Sequence, residues 1–529
     1  MLRSPMRIVL PLLFGFITMP ANAADEHAEH PVLGTVHFPV TCTPEAQQAF
    51  DEAMKLQHSF WYQAAHDAFS DVLQRDPECA MAYWGIAMTL LTNPFSPPPA
   101  QNLADGWAAL EQARQLGAKS EREADYIAAL AEFYRDADTR DHRTRVLAYE
   151  QAMAQLHARY PDDSEAAIYY ALALNVAALP TDKTYAKQLE AAEILEAEVA
   201  RQPDHPGVVH YLIHTYDYPP LAERGLKAAD RYAELAASAP HALHMPSHIF
   251  TRLGHWDRSV ETNQRSAEVA RAAKEMGGEL HARDYMVYAY LQTGRDEAAR
   301  QAIAEAQRFA AAESASAAGP FALAAMPARF AMERGAWAEA AALTPQPSKF
   351  AFADAVTHFA RAVGLARSGK PEAAAADVEA LQRLADALRP KNAYWAEQVD
   401  IQHMAATAWI AYAEGKGDEA RELMGKAAEM EAGTEKHAIT PGPLAPAREH
   451  LAEMLLAADR PADALKEFEA VQQVEPNRFR ALLGAGRAAE LAGDAAAAKQ
   501  YYGEVVEITA SANTSRPEIE AARAFVAAN

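Results

Sequence analysis

Cysteine is nearly missing: two residues in 529 are too few for a disulfide-built scaffold or a four-thiolate zinc site. Basic residues are outnumbered, with 49 Lys+Arg against 72 Asp+Glu and a formal net charge of −23. That balance argues against nucleic acid as a partner, because a phosphate backbone needs a basic face. Beyond residue 19 no run approaches the ~18 continuous apolar residues that cross a bilayer. Strand patterning is scarce as well. Zinc-protease, nucleophile-elbow and haem-attachment signatures are absent, and Gly364 to Lys370 only mimics a phosphate loop, with Pro371 where Ser or Thr would hold magnesium.

What is present is an apolar, helix-forming chain. Half the residues are hydrophobic and 23% charged, which excludes wholesale disorder. Arg3 and Arg7, the apolar run Ile8 to Met19 and the small residues Ala21-Asn22-Ala23 read as a signal peptide over residues 1–23. Residues 24–43 then read as a flexible leader. The expected mature protein is periplasmic or secreted, without a transmembrane segment.

A repeated grammar occupies most of the remainder. Ala65, Phe69, Val72 and Pro77 return as Ala464, Phe468, Val471 and Pro476. Turns at Gly254, Gly294, Gly335, Gly369, Gly415, Asp459 and Gly493 recur every 34 to 46 residues. Small residues let two helices approach, a large residue four positions on fills the gap, and proline ends the second helix. This pattern resembles the tetratricopeptide (TPR) repeat over about residues 44–512, roughly a dozen units. The resemblance implies an all-α helix–turn–helix solenoid wound as a right-handed superhelix with a concave groove. Three stretches follow: residues 44–203, a histidine-rich 204–312, and 313–529. The words around Cys79–Met88, His58–Tyr62, His210–Asp217 and His244–Phe250 resemble exported bacterial TPR proteins, a likeness that brings no activity with it. In such an array Cys42 and Cys79 lie at one end of neighbouring helices and are expected to pair, stapling the N-terminus. Asn93 to Pro99 is a stiff proline loop placed to cover one end of the groove.

Histidine is where the sequence becomes specific. Eight of the 19 lie between residues 205 and 281. His210 and His214 stand four apart, as do His244 and His248, and each member of the second pair follows its counterpart by 34 residues. A four-residue step puts both rings on one helix face. In TPR proteins these repeat positions line the concave surface, which the resemblance implies here. The expected stripe is His210, His214, Asp217, His241, His244, His248, His281, Asp284 and Tyr288, with Trp84 and Met88 as an aromatic and thioether patch at the groove's start.

Imidazole suits zinc, copper, nickel and iron, so the two pairs are expected to converge on one ion. His241 and His281 are further donors, and Asp217 or Asp284 would take the second ring N–H. Two features oppose this. Tyr211, Tyr216 and Tyr218 are close enough in sequence to satisfy the rings as packed histidines, and Pro246 threatens to break the helix between His244 and His248. Three functional readings stay open. One is a scaffold for a protein or peptide partner whose groove holds a metal or polar ligand. The second is a metal-dependent enzyme on the same histidines, and the third a metal-free adaptor for a peptide or envelope polymer.

Overall fold

The computed structural model describes residues 1, 31–310, 312, 316–514 and 516–529. The signal-peptide segment 1–23 and the leader residues up to 30, His27 and His30 among them, lie outside the described residues apart from Met1. Among the described residues every regular element is helical. No described helix is long and apolar enough to cross a membrane.

Twelve consecutive helix pairs and a closing helix make up the array. They are α1 (Pro44–His58) with α2 (Tyr62–Arg75), α3 (Ala80–Leu90) with α4 (Ala100–Leu116), α5 (Glu121–Tyr134) with α6 (His142–Arg159), and α7 (Ser164–Ala177) with α8 (Ala186–Arg201). The fifth pair is α9 (Pro206–Tyr216) with α10 (Leu226–Leu235). In the sixth, α11 (Pro240–His244) and α12 (Pro246–Arg252) together face α13 (Trp256–Ala272). Then come α14 (Met276–Gln292) with α15 (Asp296–Ala306), α16 (Ala318–Glu333) with the short α17 (Trp337–Ala341), and α18 (Ala351–Arg367) with α19 (Ala375–Leu388). The last pairs are α20 (Ala393–Ala413) with α21 (Gly417–Ala432), α22 (Ala447–Ala457) with α23 (Pro461–Val474), and α24 (Phe479–Leu491) with α25 (Ala495–Ile508), closed by α26 (Pro517–Ala528). This is the solenoid of helix–turn–helix units that the repeat grammar implies.

The grammar has a direct physical basis. A Cβ on Gly85 would run into the Phe69 ring, and one on Gly484 into Phe468; each aromatic fills a crossing that only glycine leaves open. The turn residues Gly254, Gly294, Gly335, Gly369, Gly415 and Gly493 all have φ between 63° and 82°, and Asp459 has 56°. Side chains close several helix starts: Thr43, Ser120, Asp163 and Asn392 each accept a backbone N–H of the first turn. Cys42 and Cys79 form a disulfide with Cα atoms 5.1 Å apart, holding the segment before α1 to the start of α3.

Two departures position the site. The described part of the leader is packed, not loose: Leu33, Val36 and Phe38 are buried, and the Thr35 N–H donates to the Asp204 carbonyl. Phe38 meets Phe50, Trp84 and Tyr126, so apolar side chains decide the outcome where polar flanks suggest a tail. The array also returns on itself. Trp256 donates to the Asn477 carbonyl, the Phe479 N–H to Gln292, and Arg516 pairs with Asp296, seating the last repeats on the middle ones.

Gly85→Ala is expected to cost about 1–3 kcal/mol by overpacking against Phe69. Gly425→Ala, in α21 where an added Cβ meets nothing within 4 Å, should instead stabilise by about 0.5–1 kcal/mol through helix propensity. Urea midpoints of the two variants check the opposite signs.

Candidate histidine centre

The fifth, sixth and seventh repeats supply the site. Pro206 starts α9 and the His205 ring caps it, Nδ1 accepting the Val208 N–H at 3.3 Å. Pro246 does not break the next helix. Met245 keeps right-handed dihedrals of −54° and −38°, and proline at a first-turn position forfeits only a bond that would be missing anyway. His244 and His248 therefore keep one face.

The rings gather as two neighbouring triads and not around one shared point. His210, His214 and His241 form the first, and His244, His248 and His281 the second; within each, one ligand atom per residue lies within 4.8 Å of the others. In the first, His210 Nε2 is 3.2 Å from His214 Nε2 and 3.2 Å from His241 Nε2. In the second, His244 Nε2 and His248 Nε2 are 3.0 Å apart, and the His244 and His281 ring centroids 4.3 Å. The expectation that both i,i+4 pairs meet at one ion is thus corrected. Each pair is completed by a ring from the next repeat, because the first helices of neighbouring repeats run side by side.

Tautomers follow from the outer nitrogens. His210 Nδ1 faces the His58 carbonyl at 2.7 Å, so it donates. His248 Nδ1 donates to Asp217 at 2.8 Å. His244 Nδ1 donates to Asn263 Oδ1 at 2.6 Å, an assignment fixed by the Asn263 amide donating to the Ser259 carbonyl. With each Nδ1–H engaged, the Nε2 of a neutral ring is a bare lone pair. His244 and His248 therefore aim two lone pairs at each other, a geometry that could accept a cation between them.

The surroundings disfavour an added proton on these rings. Burial pushes His210, His214, His241, His244 and His281 well below the usual histidine range, and neighbouring histidines push the same way. For His248 burial outweighs the help from Asp217, while Lys436 and Arg252 lower it further. Asp217 feels burial in the opposite sense, but Lys436, Arg252 and His248 together hold its carboxyl well below the ordinary range. Lys436, buried beside Arg252, is lowered to about 8 in spite of Asp217.

A third group with metal-like composition behaves differently. His58, Glu165 and His205 are all buried, but His205 Nε2 donates to Glu165 Oε1 at 2.9 Å and His58 Nε2 faces Oε2 at 3.0 Å. His58 Nδ1 meets the Tyr211 hydroxyl at 3.0 Å. Every donor has an acceptor, so the group is a closed hydrogen-bond network that carries the His58 carbonyl to His210.

Other expected residues lie elsewhere. Asp284 does not reach the rings: its Oδ1 accepts from Arg329 at 3.1 Å, and burial raises its pKa despite that arginine. Tyr288 donates to Glu475 at 2.9 Å and accepts from Arg478 at 3.1 Å, within a buried ion network. Trp84 packs against Phe38, Tyr126 and Tyr169, and Met88 is buried with it; both belong to the core, because their helix buries nearly all its faces. Tyr216 turns to Glu196 and Tyr211 to His58, so neither satisfies the triads.

Residues 433–446, between α21 and α22, reach back to the fourth, fifth, seventh and eighth repeats. Lys436 reaches Asp217 at 3.3 Å, Glu435 takes Lys183 and Tyr185 at 2.7 Å each, and Arg329 donates to the Gly442 and Pro443 carbonyls. Tyr285 donates to the Ala438 and Thr440 carbonyls at 3.2 Å each. The proline loop also contributes, Phe95 lying 4.7 Å from His214. Between strap and loop, a cavity of about 450 Å³ opens beside His214, walled by Phe95, Trp395, Asp217, Lys436 and His437.

No known family model matches the chain, and no curated protein matches it. Among solved structures it is similar to Naa15/Naa10 bound to HypK-THB, at 15% identity over 91% of this chain and 73% of that one, with a TM-score of 0.24. It is also similar to the human IFIT1 dimer with m7Gppp-AAAA, at 12% identity over 90% and 92%, with a TM-score of 0.37. At such scores neither likeness adds to the reading of the site.

Neutral buried histidines make the metal-free fold acid-sensitive. Their folded pKa values lie below the unfolded ~6.5, so the unfolded chain binds more protons and stability falls as pH drops below 6.5. His437, lowered to about 4 by burial, belongs to the same set. Each such ring is expected to remove about 1.4 kcal/mol per pH unit down to its folded value. Urea denaturation of the metal-free protein between pH 7 and pH 5 measures this, and a flat profile would contradict it.

Proposed function

We propose that this chain is an exported helical-repeat scaffold whose fifth to seventh repeats hold a transition metal on histidine. The observation that carries the reading is the His244–His248 contact, with facing Nε2 atoms 3.0 Å apart and both Nδ1 atoms spent on acceptors. Nitrogens held about 2.0–2.1 Å from one ion sit about 2.9–3.4 Å apart along a coordination edge, so a bound ion turns an unfavourable contact into a ligand pair. Asp217, Asn263 and the His58 carbonyl would then fix ring orientation and raise ligand basicity. Zinc, copper, nickel and iron all accept such donors. The Cys42–Cys79 disulfide supports an oxidising compartment, in keeping with the signal-peptide reading.

A metal-dependent enzyme is the second reading, favoured by the cavity beside His214, through which a small molecule would approach an ion. An extended peptide is less favoured, since residues 433–446 already bond Asp217, Tyr285 and Arg329 on the repeats that carry and follow the histidines.

The full mature chain, expressed without a histidine tag and purified without chelators, is expected to carry stoichiometric metal by elemental analysis. H214A/H248A should lose it. Added metal at 100-fold its Kd should stabilise the wild type by about 2.7 kcal/mol and leave the variant unchanged. Metal retained at full stoichiometry by the variant would defeat the assignment.

A further inference from the structure

The two triads lie against each other. His214 of the first and His248 of the second have ring centroids 6.1 Å apart, and so do His241 and His244. Buried carboxylates stand behind both triads but ligate neither: Glu165 lies behind His58, whose carbonyl takes the His210 Nδ1–H, and Asp217 lies behind His248. Asp217, on the outer nitrogen of His248, is matched by Arg252 at 2.8 Å and Lys436 at 3.3 Å, and the nearby Glu435 is paired with Lys183, so the surroundings of the second triad supply no net negative charge. All six candidate donors are imidazole nitrogens, with no carboxylate or thiolate among them.

We propose that the triads hold two copper ions as a pair, one per triad, bound in the cuprous state; this rests on the metal-site reading above. Three imidazoles complete a trigonal cuprous ion without help from a fourth ligand. Charge selects the state. At one separation two dications repel four times as strongly as two monocations, and here no carboxylate ligand, with Lys436 and Arg252 nearby, offsets the difference. A divalent pair would need an anion bridging it from the side of His214, where the cavity opens. His281, whose Nδ1 is buried without a hydrogen-bond partner, completes the second triad as His241 completes the first, both rings being partly exposed. The stripe stops after two ions for a reason visible in the repeat: the positions equivalent to His244 and His248 are Asp284 and Tyr288, which bind Arg329 and Glu475 instead.

The test is an anaerobic titration of the metal-free full chain with cuprous ion against a competing chelator. Two equivalents are expected for the wild type and one for each of H210A/H214A and H244A/H248A. One equivalent in the wild type, or none, would overturn the cuprous pair, while the metal-site reading stands or falls separately on the elemental analysis of the purified chain. Should either double variant fail to fold, H241A and H281A replace it, each expected to weaken one of the two affinities tenfold or more. Oxidation of the loaded wild type with ferricyanide should give a spin-coupled signal by electron paramagnetic resonance, against an isolated cupric signal in single-triad variants. An isolated signal of two full spins in the wild type would overturn the pairing.

Discussion

An imidazole that has given its one proton to an acceptor must present its other nitrogen as a lone pair, and the centre of this molecule is arranged around that constraint. His210, His244 and His248 each donate from Nδ1. The three acceptors are themselves held from outside: the His58 carbonyl by a network on Glu165, Asn263 by the Ser259 carbonyl, and Asp217 by Arg252 and Lys436. Burial disfavours the alternative of a second proton. The His58–Glu165–His205 group shows that composition alone decides nothing, since there the protons point inward to the carboxylate and no lone pair is left over.

The architecture was largely legible in the sequence. Glycine at a turn with positive φ, and glycine opposite a phenylalanine at a helix crossing, are demands of local sterics, and local demands leave marks at fixed spacing. The histidine pairs were legible for the same reason: a 34-residue shift places His244 and His248 where His210 and His214 stand in the preceding unit. Asp217 as the partner of an outer ring nitrogen followed from its place one turn below His214, although the ring it serves is His248 on the next helix.

What escaped the sequence is what repeat arithmetic does not carry. The spacing placed His241 and His281 on the correct face but not in separate triads, because that depends on how far the start of one first helix overlaps the middle of its neighbour. Asp284 has the right position and the wrong neighbour: Arg329, two helices on, reaches it first. Lys436 and Glu435 sit more than 200 residues from Asp217 and Lys183, and nothing in a periodic pattern announces a contact of that span. Trp84 and Met88 misled because a short helix buried on nearly every side has no polar face to reveal its orientation.

The strap over residues 433–446 bears on why a solenoid can host such a centre at all. An array in which each unit touches only its neighbours is nearly one-dimensional, and its curvature yields to small rotations at every interface. Nitrogens that must stay within a few tenths of an ångström of one another tolerate little of that. Here the strap is bonded to Lys183, Asp217, Tyr285 and Arg329, residues of the fourth, fifth, seventh and eighth repeats. Further along, Trp256 and Gln292 bind the chain around Asn477 and Phe479. These cross-links bracket the repeats that carry the triads. The long-range contacts that no periodic reading reveals are thus the ones that tie together the repeats carrying the triads.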